Sequence, residues 1–262
     1  MYYHEFDPAP GLAAHVASYW MVSVDDSVSP EHRHHVLPDG CMALVVVMAA
    51  NGTRHVVLQG PHSTPMVIPV SPGDRYWGVR FWPDAGGLVT GVDPRSMVGQ
   101  LKPAEVDLGP GVRELPRRLE GVTDPAVAAR HLDEIASSYV LRSGISHPDP
   151  QIRAAVMAII AANGGAPIGE LAASVGLSPR QFQRRFVAAV GLAPKVYSRI
   201  RRLRASLGHL IEDRKVTWST VAADLGYSDH AHLVREFTRL ARLTPEEVAR
   251  QIRSIGHGRV RP

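Results

Sequence analysis

Cysteine is almost missing from this chain. Its 262 residues hold one, Cys41, which excludes an intramolecular disulfide and any zinc module built on cysteine ligands. Aromatic residues are sparse at 6%. The longest apolar run, Met42 to Ala50, falls far short of the roughly 18 to 20 residues that a membrane-spanning helix needs. The amino terminus, MYYHEFDPAPG, has no basic leader region. These absences predict a soluble, cytoplasmic protein without membrane association. No Ser-His-Asp elbow, phosphate loop or nucleotide fingerprint is found, so no cofactor and no enzymatic activity are expected. Hydrophobic residues at 45% and charged residues at 21% are ordinary globular values, which excludes disorder of the whole chain and a collagen or coiled-coil composition.

The length predicts two domains. Residues 1–150 hold 11 Lys+Arg against 17 Asp+Glu, a net of −6, while residues 151–262 hold 18 against 8, a net of +10. A basic module on an acidic one is the charge pattern of a nucleic-acid-binding domain joined to a separate sensor, since neutralising phosphates needs clustered Lys and Arg. A solvated basic tail would show the same charge, so the decision falls to pattern.

The first hundred residues read as short strands at Ala17–Val24, Met42–Ala50, His55–Gly60, Met66–Pro69 and Arg75–Trp82, separated by turn signals such as Asn51-Gly52. They predict a β-barrel or sandwich. Asp124 and Pro125 then open a helix whose Val127, Leu132, Ile135 and Tyr139 form a stripe, facing either the core or a dimer partner. From Pro150 onward no strand is predicted. Gln151–Asn163 and Ile168–Val175 read as helices, and Ser178-Pro179 opens a third through Val190.

The segment Ala172–Tyr197, AASVGLSPRQFQRRFVAAVGLAPKVY, repeats at Val221–Val248. Gly176, Ser178, Phe182, Arg184, Phe186 and Pro194 correspond to Gly226, Ser228, Leu233, Arg235, Phe237 and Pro245, with one extra residue between Ser228 and Leu233. Each copy spells helix, tight turn, helix. Between them Val196, Ile200, Leu203, Leu207 and Leu210 mark one long helix that packs on both. These residues resemble the DNA-binding domain of AraC/XylS-family transcription regulators, over about Gln151–Ile252. Two departures stand in the second copy: Leu233 for the usual Phe, and Arg242 for the Gly before Leu-Thr-Pro.

At about 100° per residue, the face opposite Phe182 and Phe186 carries Arg180, Gln181, Arg184 and Ala188, with Gln183 at its edge. In the second copy the same construction selects Ala231, His232, Arg235, Thr238 and Arg239, with His230 and Val234 at the edge. Arginine can bond guanine, and glutamine adenine, in the major groove. An exposed arginine is otherwise just a solvated charge; repetition is what argues against that here. Ser178 and Ser228 read as helix caps or phosphate contacts. Arg185, Lys195, Arg199, Arg201, Arg202 and Arg204 are assigned to phosphate or to keeping their helix soluble.

The resemblance further implies a cupin-like N-terminal β-barrel. In that half Val36–Gly40 (VLPDG), Leu58–Pro61 and Gly78–Pro83 (GVRFWP) resemble a variant domain found with such regulators. Trp20, Asp39, Trp77, Arg80 and Trp82 are pocket candidates for a small-molecule effector. The expected fold is thus α+β in two domains: a cupin-like β-barrel or sandwich with appended helices at 1–145, a linker at 146–150, and an all-α double helix-turn-helix domain at 151–262, with recognition helices at 179–190 and 229–240. The expected partners are promoter DNA, RNA polymerase, an unidentified effector and a second copy of the chain, with activation or repression left open. The competing reading is a cupin-type metal-dependent enzyme or stress protein with an accessory DNA-binding domain. His32 and His34 share a strand face and could ligate a metal, but no carboxylate stands at ligand spacing beside them, and a solvated polar edge is the simpler reading.

Overall fold

The computed structural model describes residues 1–29, 32–144, 147–212 and 217–257. In its N-terminal part, β1 (Tyr2–Phe6), β2 (Val16–Ser23), β3 (Arg33–Val36), β4 (Ala43–Met48), β5 (Arg54–Gln59), β6 (Met66–Pro69) and β7 (Arg75–Phe81) precede three short helices, α1 (Gly86–Thr90), α2 (Ala104–Leu108) and α3 (Leu115–Arg118). The short strand β8 (Leu101–Pro103) lies between α1 and α2, and the long helix α4 (Pro125–Ser143) follows. A seven-stranded sheet runs in the order β8-β5-β4-β7-β2-β1-β9, its last member being the two-residue β9 (Gly256–His257), and β3 pairs separately with β6.

Strand parity divides this sheet into two faces with different tasks. Leu44, Val46, Met48, Val56, Leu58, Trp77, Val79 and Phe81 enter the main core with Leu132, Ala136 and Tyr139 of α4. The stripe on α4 is therefore spent within the chain, where the sequence left a dimer contact open. The alternate residues Val45, Val47, Val57, Tyr76 and Arg80 face a cavity instead.

The helical part comprises α5 (Pro150–Ala161), α6 (Ile168–Ser174), α7 (Pro179–Val190), α8 (Pro194–Glu212), α9 (Trp218–Asp224), α10 (His230–Ala241) and α11 (Pro245–Ser254). Two cores underlie it. Phe182, Phe186, Tyr197 and Ile200 belong to the first; Leu203, Leu207, Leu233 and Phe237 belong to the second. Helix α8 thus serves both cores, as its apolar spacing predicts; the Leu210 side chain lies outside the described residues. Leu233 is fully buried, so its exchange for Phe is a matter of packing.

Three differences from the sequence reading stand out. β1 and β8 carry no alternation long enough to be seen. The His-rich block forms β3, paired antiparallel with β6 from Arg33↔Pro69 to Val36↔Met66. And a strand does occur after Pro150: β9 (Gly256–His257) pairs in parallel with Tyr2 and Tyr3. Two residues hold no periodicity, so only tertiary pairing reveals it. The strand-rich part is an open sheet faced by the β3–β6 ribbon.

Candidate nucleic-acid interface and cavity

Helix α7 begins with a capping box: the Ser178 hydroxyl accepts from the Gln181 N–H, while Gln181 Oε1 accepts from the Ser178 N–H at 3.1 Å. Pro179 suits the first turn, and Gly191, at φ 81°, closes the helix in the left-handed region. With Phe182 and Phe186 buried, Arg180, Gln181, Gln183, Arg184 and Ala188 are exposed. The C-terminal end of α7 docks on the N-terminal part, where Gly191 lies against Pro61 and Pro94 so closely that a Cβ there would stand 2.8 Å from the Pro94 carbonyl oxygen.

The second unit repeats the geometry with the cap displaced by one residue. Asp229, not Ser228, caps α10, accepting from the His232 N–H at 2.6 Å. The extra residue in this copy accounts for the shift. Ser228, itself exposed, faces His232: its N–H donates to Nδ1 at 3.3 Å, and its hydroxyl lies 3.1 Å from the same atom. His230, Ala231, Arg235, Thr238 and Arg239 are exposed, while His232 and Val234 are half-buried.

Three arginines expected at phosphate are engaged within the protein. Arg185 Nε bonds Asp149 at 3.0 Å, and its Nη1 bonds Gln151 at 2.7 Å. Arg199 meets Glu236 in a two-pronged pair at 2.6 and 2.9 Å, tying α8 to α10. Arg202 donates to the Gly164 carbonyl at 3.1 Å and lies over the Tyr227 ring. Lys195 is exposed and has no hydrogen-bond or ion-pair partner among the described residues. Spacing on a single helix could not reveal these cross-helix partners.

The cavity, about 550 Å³, lies between the second sheet face, the β3–β6 ribbon and the helices α8 and α11. Trp20, Asp39 and Arg80 line it. Trp77 does not: its parity turns it into the main core, where it is 1% exposed. Nor does Trp82, whose Nε1 donates to the Ala13 carbonyl at 2.9 Å and whose ring lies under Arg153. At the polar end Arg80 Nη1 bonds Glu5 at 2.6 Å and Nε bonds Asp39 at 3.0 Å. Burial works against the Arg80 charge, but Tyr3, Glu5 and Asp39 around it hold it protonated. Burial likewise opposes ionisation of Glu5 and Asp39; Arg80 overrides it and keeps both carboxyls below the usual range. The Tyr3 hydroxyl is pushed up to about 12, first by burial.

Arg204 of α8, read from sequence as a phosphate or solubilising residue, lines this cavity with Leu207 and Gly208. Among the described residues it makes no hydrogen bond or ion pair. Only tertiary packing could assign it, since α8 turns that face toward the sheet. His34 and His35 also line the cavity. Among the described residues no three His, Cys, Asp or Glu side chains are placed to share a metal ion. No helix among them is long and apolar enough to cross a membrane.

Residues 4–102 match a family described as a domain of unknown function (DUF6597), and residues 171–251 match a helix-turn-helix domain family. No curated protein matches the chain. Among solved structures, apo ToxT from Vibrio cholerae is similar over 88% of this chain and 96% of its own, at 9% identity and a TM-score of 0.50. ToxT bound to an unsaturated fatty acid is similar over 88% and 94%, also at 9% identity and 0.50. A transcriptional regulator of the AraC-type DNA-binding domain-containing proteins from Chromobacterium violaceum covers 39% of this chain and 91% of its own, at 24% identity and a TM-score of 0.36. The likeness to ToxT is one of fold: a strand-rich part followed by a helical helix-turn-helix part.

Proposed function

We propose that this chain, whose C-terminal part carries a helix-turn-helix domain of the AraC type, is a sequence-specific DNA-binding transcription regulator with a small-molecule effector. The observation that carries the reading is the pair of exposed faces on α7 and α10, held in one frame by α8 within a half of net charge +10. Two such helices can enter successive major-groove segments about 34 Å apart. Arg180, Gln181, Gln183 and Arg184 would read bases in one segment. His230, Ala231, His232, Val234, Arg235 and Arg239 would read the other. Phosphate contact falls to Lys195 and the Ser178 and Ser228 hydroxyls, whereas Arg185, Arg199 and Arg202 brace the frame. We place the domain boundary at 146–150 and a dimer contact in the N-terminal half.

The effector reading rests on the cavity, which both halves line. Its walls are mainly aliphatic, and Arg204, whose charge acts on Glu5 and Asp39 through space but which makes no hydrogen bond or ion pair among the described residues, offers a cation, so a small amphipathic molecule with an anionic group fits its chemistry. ToxT, of the same fold, has been solved with an unsaturated fatty acid bound. Because α8 carries Arg204 and joins the two reading units, an occupant that binds two arrangements of α8 unequally would shift DNA affinity.

Selection of binding sites from random duplexes, followed by affinity measurement, tests the DNA reading. Arg184→Ala is expected to cost ~1–3 kcal/mol on the selected site and to relax preference at one base pair. Equal losses on selected and random DNA overturn the assignment of base reading to this face.

A further inference from the structure

Both reading helices place a side chain with donor and acceptor capacity at the third helical position, and both turn that side chain back on a serine at the helix start: the cap Ser178 in α7, and Ser228, one residue before the cap, in α10. In α7 it is Gln181, whose Oε1 accepts from the Ser178 N–H at 3.1 Å and from its hydroxyl at 2.8 Å. In α10 it is His232, whose Nδ1 accepts from the Ser228 N–H at 3.3 Å. A backbone N–H can only donate, so the atoms it meets must be the amide oxygen of Gln181 and a bare ring nitrogen of His232. What remains to point outward is the NH₂ group of Gln181 and the Nε2–H of His232. Both are donors, and neither residue keeps a free acceptor. The Tyr227 ring stands edge-on to the imidazole at 5.4 Å and limits its rotation.

A glutamine with a free amide reads adenine, because it accepts from N6–H and donates to N7 together. Gln181 has lost the accepting half of that pair. We infer that Gln181 and His232 are specificity-determining residues that each prefer guanine, whose N7 and O6 present adjacent acceptors, over adenine, whose N6 amine sets a donor beside N7, and over cytosine, which offers a donor. This rests on the DNA reading proposed above. It also explains why the two units need no chemical likeness at this position: an amide and an imidazole, each held by the serine three or four residues before it, present the same donor-only face.

The test is site selection with the full chain, comparing wild type with Gln181→Glu, His232→Glu and His232→Gln. A glutamate at the third position can still accept from the serine N–H that Gln181 and His232 meet, as in a capping box, but exposes an acceptor in place of the donor. Each glutamate variant is expected to lose at least tenfold discrimination for guanine at one position and to shift that position toward cytosine or adenine. His232→Gln is expected to keep guanine. A consensus that holds adenine at the position responding to Gln181→Glu, or one in which neither glutamate variant alters any position, overturns the inference while leaving DNA reading intact. A wild-type chain with no sequence preference at all overturns both. Should a variant fail to fold, the wild-type protein gives the answer with selected sites carrying 7-deazaguanine, which lacks the N7 acceptor. Affinity should fall several-fold at the two guanines concerned, and no fall at any guanine contradicts the proposal.

Discussion

Arg242 occupies the place where the first unit has Gly191, and it takes the same left-handed conformation, with φ of 57°. The left-handed region costs a residue with a Cβ roughly 1–2 kcal/mol, and α10 ends there all the same, because Leu240 and Ala241 are already buried in the second core. Arg242→Gly is therefore expected to raise stability by about 1 kcal/mol, read as a higher urea midpoint; an unchanged or lower midpoint contradicts it. His34 makes a second prediction at this scale. Burial, with His32 and His35 nearby, pushes its imidazole from 6.5 down to about 4. Across that interval the unfolded chain binds a proton that the folded chain refuses, so stability falls as pH drops through it. His34→Gln should flatten the fall in melting temperature between neutral pH and about pH 4.5; an equally steep fall in the variant assigns the effect elsewhere.

Charges that look alike along a helix do different work. On α8, Arg199 is committed to Glu236 with both side chains only 21% exposed, whereas Lys195 is exposed with no partner among the described residues. Removing Arg199 strands a part-buried carboxylate, so Arg199→Ala should cost about 1–2 kcal/mol of stability. Lys195→Ala should leave the melting temperature alone and reduce the slope of log affinity against log salt by about 0.9. Finding the opposite pattern would exchange the two roles. The register of Arg199 on α8 is plain in the sequence, but the facing position of Glu236 is not. Its placement depends on how α10 crosses α8, which the one-dimensional pattern does not encode.

The two halves of the molecule are held by a contact that no sequence motif announces. Arg153 of α5 reaches into the N-terminal part, bonding Asp84 at 2.7 Å and the Ala14 carbonyl at 2.7 Å. The Asp84 side chain is 1% exposed, and burial lifts its carboxyl against the pull of Arg153. Breaking such a pair from one side leaves a buried carboxyl uncompensated, at a cost of about 3–5 kcal/mol. Arg153→Ala is expected to separate a single calorimetric transition into two, one for each half, while Arg153→Lys should preserve much of the coupling. One unbroken transition in the alanine variant would show that the remaining contacts, such as Gly191 on Pro94 and β9 on β1, suffice to couple the halves.

Local rules fix whatever depends on neighbours in the chain. The caps at Ser178 and Asp124, the apolar periods of α4, α7 and α8, the strands β4, β5 and β7, and the duplicated helix-turn-helix each leave a pattern within a short stretch of chain, and each could be read from the residue order. Tertiary structure alone decided which tryptophans face the cavity, since parity separates Trp20 from Trp77 only once the strands are paired. It also decided that Arg204 lines the cavity, that β9 closes on β1, and that three arginines brace the frame. Side-chain partners contributed by distant segments are set by how whole elements pack, and packing is a property of the assembled surfaces.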